Sequence, residues 1–384
     1  MIVRRRLGRR LALTAGLLLV ALPAASNASS SASPLAIAVE GPQSGEQAPN
    51  GLDQLRGVRL AVSQLNARGG LWNGRKVAIY AADDKAEASL AKVVARRVIA
   101  KGIHFVIGPY NSSVGIENLS LYRRHHVLPL WMTSRDETAG IGATVQPMNT
   151  QIAPVEERYV KALPARSVAM LVDDTPNGAF TKGMATRFRA AAVRGGAEVS
   201  WTSIKETTAP GLPSTYYRDQ VAKALATSPE LVYVSTYFPE GVEIAKALVA
   251  HGSTPRCLMG LANVDDGFLA KTTLTQAQRC VFSGVPAATE MPSAKRYVRQ
   301  YRAKFGTKPS VWGSFTYDSA KILFAAINRA KSFSFGAVER ALRKTRGYNG
   351  ATGKITISAR TGYRTTVPVS ILRVNNKKRF VIAR

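Results

Sequence analysis

The chain has 384 residues, 46% hydrophobic and 20% charged, with 31 glycines and 19 prolines. That is too apolar for a disordered chain and too polar for a polytopic membrane protein; the length predicts two domains, each able to bury a core. Lys and Arg number 53 against 24 Asp and Glu, a net charge of +29 that keeps a polyanion open as a partner.

The first 28 residues predict export. Arg4, Arg5, Arg6, Arg9 and Arg10 form a positive start, followed by 15 mostly apolar residues, 11–25. A spanning helix needs roughly 20 such residues. Ala25 to Ala28 supply a small-residue cleavage site, so 1–28 reads as a signal peptide of a periplasmic protein, with a membrane anchor as the alternative. No Cys lies near the cleavage point for a lipid anchor, and the paired arginines leave general and twin-arginine export both open. Cleavage removes five of the positive charges and leaves +24. The remaining cations are scattered (Lys92, Arg96, Arg97 and Lys101, for example), the pattern of solvated helix faces, and no nucleic-acid partner is expected. Cys257 and Cys280 are the only cysteines. Each opens a predicted strand, and an oxidising compartment favours a disulfide over two buried thiols.

From residue 35 strands and helices alternate. Predicted strands are 35–39, 77–81, 103–107 and 127–132. Between them lie helices with an apolar face at Leu52, Leu55, Val58, Val62 and Leu65, then at Leu90, Val94 and Val98, then over 112–125. The pattern restarts after Pro147: helix 156–163, strand 167–172, helix 181–194, strand 198–204, helix 217–227, strand 231–235, helix 241–251, strands from 257 and 280. Three helices follow (293–305, 311–330, 335–345), and then short strands at 355–357, 367–374 and 380–383. Repeated βα alternation predicts an α/β protein with two doubly wound parallel-sheet lobes and a ligand crevice at the carboxyl ends of the strands.

Catalytic arrangements do not emerge. Gly140 and Gly142 lack the third glycine of a dinucleotide fingerprint, and 350–354 has the wrong spacing for a phosphate loop. No nucleophile elbow occurs. His104, His125, His126 and His251 show no metal-binding spacing. Neither an enzyme nor a cofactor is expected.

Four segments together carry a resemblance: Val39-Glu40-Gly41-Pro42-Gln43-Ser44-Gly45, Leu65-Asn66-Ala67-Arg68-Gly69-Gly70-Leu71, Ala82-Asp83-Asp84, and Ile107-Gly108-Pro109-Tyr110-Asn111-Ser112-Ser113. The chain resembles the leucine/isoleucine/valine-binding proteins, the type I periplasmic solute receptors of branched-chain amino-acid ABC transporters, over 35–353. The resemblance implies a type I periplasmic binding protein fold, two lobes joined by three crossover strands, with lobes of 35–148 plus 287–358 and of 149–286 plus 359–384. It implies a monomer that closes on a small ligand, an amino acid or related carboxylate, and docks on an inner-membrane permease. A ligand-sensing regulator of the same fold is the alternative.

In that family a serine hydroxyl and backbone N–H groups hold the ligand carboxylate. The match here is Ser112, flanked by Asn111 and Ser113, at a helix N-terminus whose free donors suit an anion; a simple N-cap is the other reading. The family's second loop matches Thr133, Ser134 and Arg135, where the arginine either binds the ligand or bridges the lobes to an acid such as Asp174. Phe180, Tyr237 and Trp312 match aromatic pocket positions, or belong to the core. The family's ammonium-binding glutamate falls at Ala262. Either Asp265 or Asp266 replaces it, or the ligand carries no α-ammonium, a reading that Arg135 favours.

Overall fold

The computed structural model describes residues 1–2, 33–138, 140–163, 165–252 and 255–383. All of the signal-peptide reading beyond residue 2 lies outside them. Among the described residues no helix is long and apolar enough to cross a membrane.

The first run gives β1 (Leu35–Gly41), α1 (Ala48–Ala67), β2 (Val77–Asp83), α2 (Ala88–Ala100), β3 (Phe105–Ile107), α3 (Ser112–Arg124), β4 (Leu128–Trp131) and β5 (Ala143–Thr144). They form a parallel sheet in the order β2-β1-β3-β4-β5. The second run gives α4 (Asn149–Ala162), β6 (Ser167–Val172), α5 (Ala179–Arg194), β7 (Glu198–Ser203), α6 (Tyr216–Leu225), β8 (Leu231–Ser235), α7 (Phe238–Ala250) and β9 (Arg256–Met259). Two short helices, α8 (Asp266–Lys271) and α9 (Leu274–Ala277), precede β10 (Val281–Gly284). The chain then builds α10 (Lys295–Phe305), α11 (Gly313–Ala330), α12 (Phe335–Arg343), the hairpin β11 (Tyr348–Gly350) and β12 (Gly353–Ile355), and finally β13 (Ser370–Val374) and β14 (Phe380–Ile382). The second sheet runs β14-β13-β10-β9-β8-β6-β7, parallel except that β13 pairs antiparallel with β10 and with the edge strand β14.

The α/β type I fold is therefore present. The chain crosses between the two lobes three times: after β5, after β10 and after β12. The first and third crossings bond to each other, Thr144 N donating to Gly362 O at 2.9 Å and Arg364 N to Thr144 O at 3.0 Å. The buried Arg364 side chain ties the third crossing down, donating to Thr352 Oγ1 and the Thr352 carbonyl at 2.7 and 2.8 Å.

Most of the α1 face is buried as its periodicity predicts, but Leu52 is exposed. In its place Asp53 faces inward and binds Gly313 N, Tyr301 Oη and Ser310 N, capping α11 and locking it onto α1. Cys257 and Cys280 lie side by side, with Cα atoms 4.6 Å apart, because Val281 lies opposite Leu258 in the β9–β10 register.

Candidate functional site

In each sheet the strand order reverses beside the first strand of its run, between β1 and β3 and between β6 and β8. Loops at the carboxyl ends diverge there and leave a crevice. The loops after β3 and β4 bring Tyr110, Ser112 and Ser134 together. Ser134 N donates to Ser112 Oγ at 3.3 Å, and Gln146 Nε2 donates to Ser134 Oγ at 2.9 Å. Facing them from the second lobe are Phe180 at the start of α5, Tyr237 at the N-cap of α7, and Leu261 and Ala262 after β9. These eight residues enclose a cavity of about 10 Å³, room for at most a single water.

The cavity is small because the lobes are closed over it. Arg187 pairs with Asp136 across the gap at 2.8 Å. Ala88 N, at the start of α2, donates to Asn177 Oδ1 at 2.9 Å, so a side chain of one lobe caps a helix of the other. Thr207 also bonds Glu46 across the interface.

Of the nine positions singled out in the sequence, Ser112, Ser134, Phe180 and Tyr237 line the cavity. The Phe180 and Tyr237 rings stand 6.4 Å apart as its second-lobe wall. Asn111 is buried beside the Tyr237 hydroxyl, its amide bonded to Gln47. Ser113 is buried one step deeper, its hydroxyl without a partner among the described residues. Three positions stand apart from the cavity. Thr133 turns to Thr138, their hydroxyls 2.7 Å apart. Trp312 sits behind Tyr110, ring centroids 5.9 Å apart. Arg135 is chelated by Glu137, which holds its pKa above the usual value, and it donates to Ala179 O at 2.9 Å. It bridges the lobes, then, but through a backbone carbonyl rather than Asp174, and it lines an outer groove of about 1080 Å³. Tyr110, Gln146 and Leu261 complete the lining without having been foreseen.

No carboxylate lines the cavity. Asp265 is buried close behind Tyr110; its Oδ1 accepts from Gly267 N at 2.6 Å as the cap of α8, and burial raises its pKa to about 7. Asp266 points elsewhere, toward Lys308. Beyond Tyr237, a space of about 100 Å³ at the cleft rim is acidic, with Glu46, Glu87, Asp173, Glu206 and Glu240 against Lys85. Burial, then the neighbouring Asp173, raises Glu240 to about 8.

Two lobes joined by three crossings, with a buried polar site at the facing strand ends, make up a two-lobed binding-protein fold. Comparison gives it a family: residues 34–379 match the periplasmic binding protein family, to which the chain belongs. A relative from Brucella melitensis named Leu/Ile/Val-binding protein homolog 3 is 27% identical over 343 residues, spanning 86% of this chain and 89% of its own length. A leucine-binding protein from Thermotoga maritima superposes with a TM-score of 0.79 at 22% identity, over 90% of this chain and 97% of its own. An ABC-transporter solute-binding protein from Rhodopseudomonas palustris, solved with 3,4-dihydroxybenzoic acid, gives 0.77 at 18% identity, over 91% and 96%.

Proposed function

We propose that the protein is the periplasmic substrate-binding component of an ABC importer and that it captures a small carboxylate lacking an α-ammonium group. The observation that carries this reading is the cavity lining: hydroxyls of Ser112 and Ser134 at one end, rings of Tyr110, Phe180 and Tyr237 around it, and no acid. The α3 N-terminus and the Ser112 hydroxyl offer donors to a carboxylate, while the Ser134 hydroxyl is held by Pro147 O and Gln146 and the rings suit an apolar or aromatic body. Binding needs the lobes to open and to reclose less fully, around the ligand, with no bond made or broken. The Cys257–Cys280 bridge and a monomeric state belong to the same reading.

A thermal-shift screen of amino acids against matched acids lacking the amine tests it. Stabilisation by an amine-free acid and not by its amino-acid counterpart is the expected result. Stabilisation by leucine, isoleucine or valine alone would instead make Asp265, with its unpartnered Oδ2, the ammonium-binding group.

A further inference from the structure

The large positive charge has no use in the cleft, whose rim is acidic. Six of the cations gather elsewhere, around a cavity of about 450 Å³ beside the second crossing. The first lobe contributes Lys295, Arg299 and Arg302 from α10 and Lys308 from the loop that follows, and the second contributes Lys378 and Arg379 from the β13–β14 turn. Spacings of four and three residues set the α10 cations on one helix face. Lys378 donates to the Thr272 carbonyl, and Lys308 faces Asp266, the one carboxylate in the lining. Among the described residues Lys295, Arg299, Arg302 and Arg379 have no acidic partner within ion-pair distance. The floor is apolar, with Leu269, Met291 and Phe380 buried beneath the charges.

We propose that this cavity is a second binding site, taking a phosphate-bearing anion with an apolar portion. Guanidinium forks match phosphate oxygens two at a time, which favours phosphate over a lone carboxylate for a site with three arginines. Six cations around one cavity repel each other, and a multiply charged anion relieves that repulsion. The volume lies within the range of about 300–1,000 Å³ usual for small-molecule sites. The phosphate arrives either on a free small molecule or on a phospholipid headgroup. The site stands whatever the cleft binds.

The test titrates the protein with tripolyphosphate by calorimetry at about 0.15 M salt, where long-range attraction is largely screened. In parallel it is sedimented with phosphatidylglycerol and phosphatidylcholine vesicles. Saturable one-to-one binding of tripolyphosphate, weakened about tenfold or more by Arg299→Gln with Arg302→Gln, is expected. Arg96→Gln with Arg97→Gln removes the same charge from the exposed face of α2 and should leave binding unchanged. Melting curves check that both variants fold. Retention on phosphatidylglycerol vesicles only, lost in the α10 variant, would identify a lipid headgroup as the source. Equal weakening in both variants, or binding to neither probe, overturns the proposal.

Discussion

Ala262 presents a methyl group to the cavity where the resemblance places a glutamate. A buried charge left without its partner costs about 3–5 kcal/mol, enough to weaken a micromolar affinity for an amino acid to about the millimolar range. Ala262→Glu should therefore reverse selectivity: leucine should raise the variant's melting temperature, while the amine-free acid should lose about tenfold or more in affinity. Unchanged preference in calorimetry would remove the amine end of the ligand from this corner. At the other end, Ser112→Ala deletes a hydroxyl donor to a charged group, worth about 1.5–3 kcal/mol. Affinity should fall at least about tenfold with the melting curve of the unliganded protein little changed. Part of this site was legible in the sequence, because Ser112 and Ser134 follow strand ends and the segments around them carry the resemblance. Arg135 takes the bridging role of the two open to it, through Ala179 O and not an acid, because Glu137 two residues away captures the guanidinium. Tyr110, Gln146 and Leu261 join the lining only through the folding of separate loops, which no local pattern announces.

The elements themselves were legible where burial imposes a regular pattern. Strands 167–172 and 231–235 match their predicted bounds, since both are continuous apolar or β-branched runs in the middle of a sheet. Helix α4 starts seven residues earlier than predicted, because Pro154 reads as a helix breaker but is tolerated in the second turn. Short α8, α9 and β11 have too few residues to show a period. Packing between elements rests on close approaches that sequence does not display. A methyl group at Gly57 in α1 would sit 2.0 Å from the Gly313 carbonyl oxygen of α11. Gly57→Ala should thus destabilise by about 1–3 kcal/mol through overpacking, exceeding the helix-propensity gain of about 1 kcal/mol, as denaturant unfolding would measure. The β9–β10 bridge closes a sequence separation of 23 residues. Cys257→Ser with Cys280→Ser should cost about 3 kcal/mol, and reductant should lower the melting temperature of the wild type but not of that variant.

On the scale of the whole molecule, six cations flank the second crossing, and carboxylates gather at the cleft rim. The rim is where pH acts on stability. Glu240 is almost completely buried, accepts from Thr207 N at 3.1 Å, and faces Asp173 and Glu206 with Glu46 across the gap. Thr175 Oγ1 lies 2.7 Å from both Asp173 Oδ1 and Glu206 Oε1. Burial raises Asp173 to about 6, and Glu240 to about 8, so in this range the folded chain holds protons that the unfolded chain has released. Where the native state binds more protons, stability falls as pH rises. Their protonated forms therefore favour folding fully below about pH 4, and that contribution is lost progressively as pH climbs from there to about 8. Melting temperature should drop over that interval, most steeply where Glu240 ionises. Glu240→Gln keeps the shape and the hydrogen bond from Thr207 while removing the ionisation. It should gain about 2 °C or more over wild type at pH 8 and little at pH 5, flattening the profile. Parallel profiles for the two proteins would mean that Glu240 ionises as freely in the folded chain as in the unfolded one.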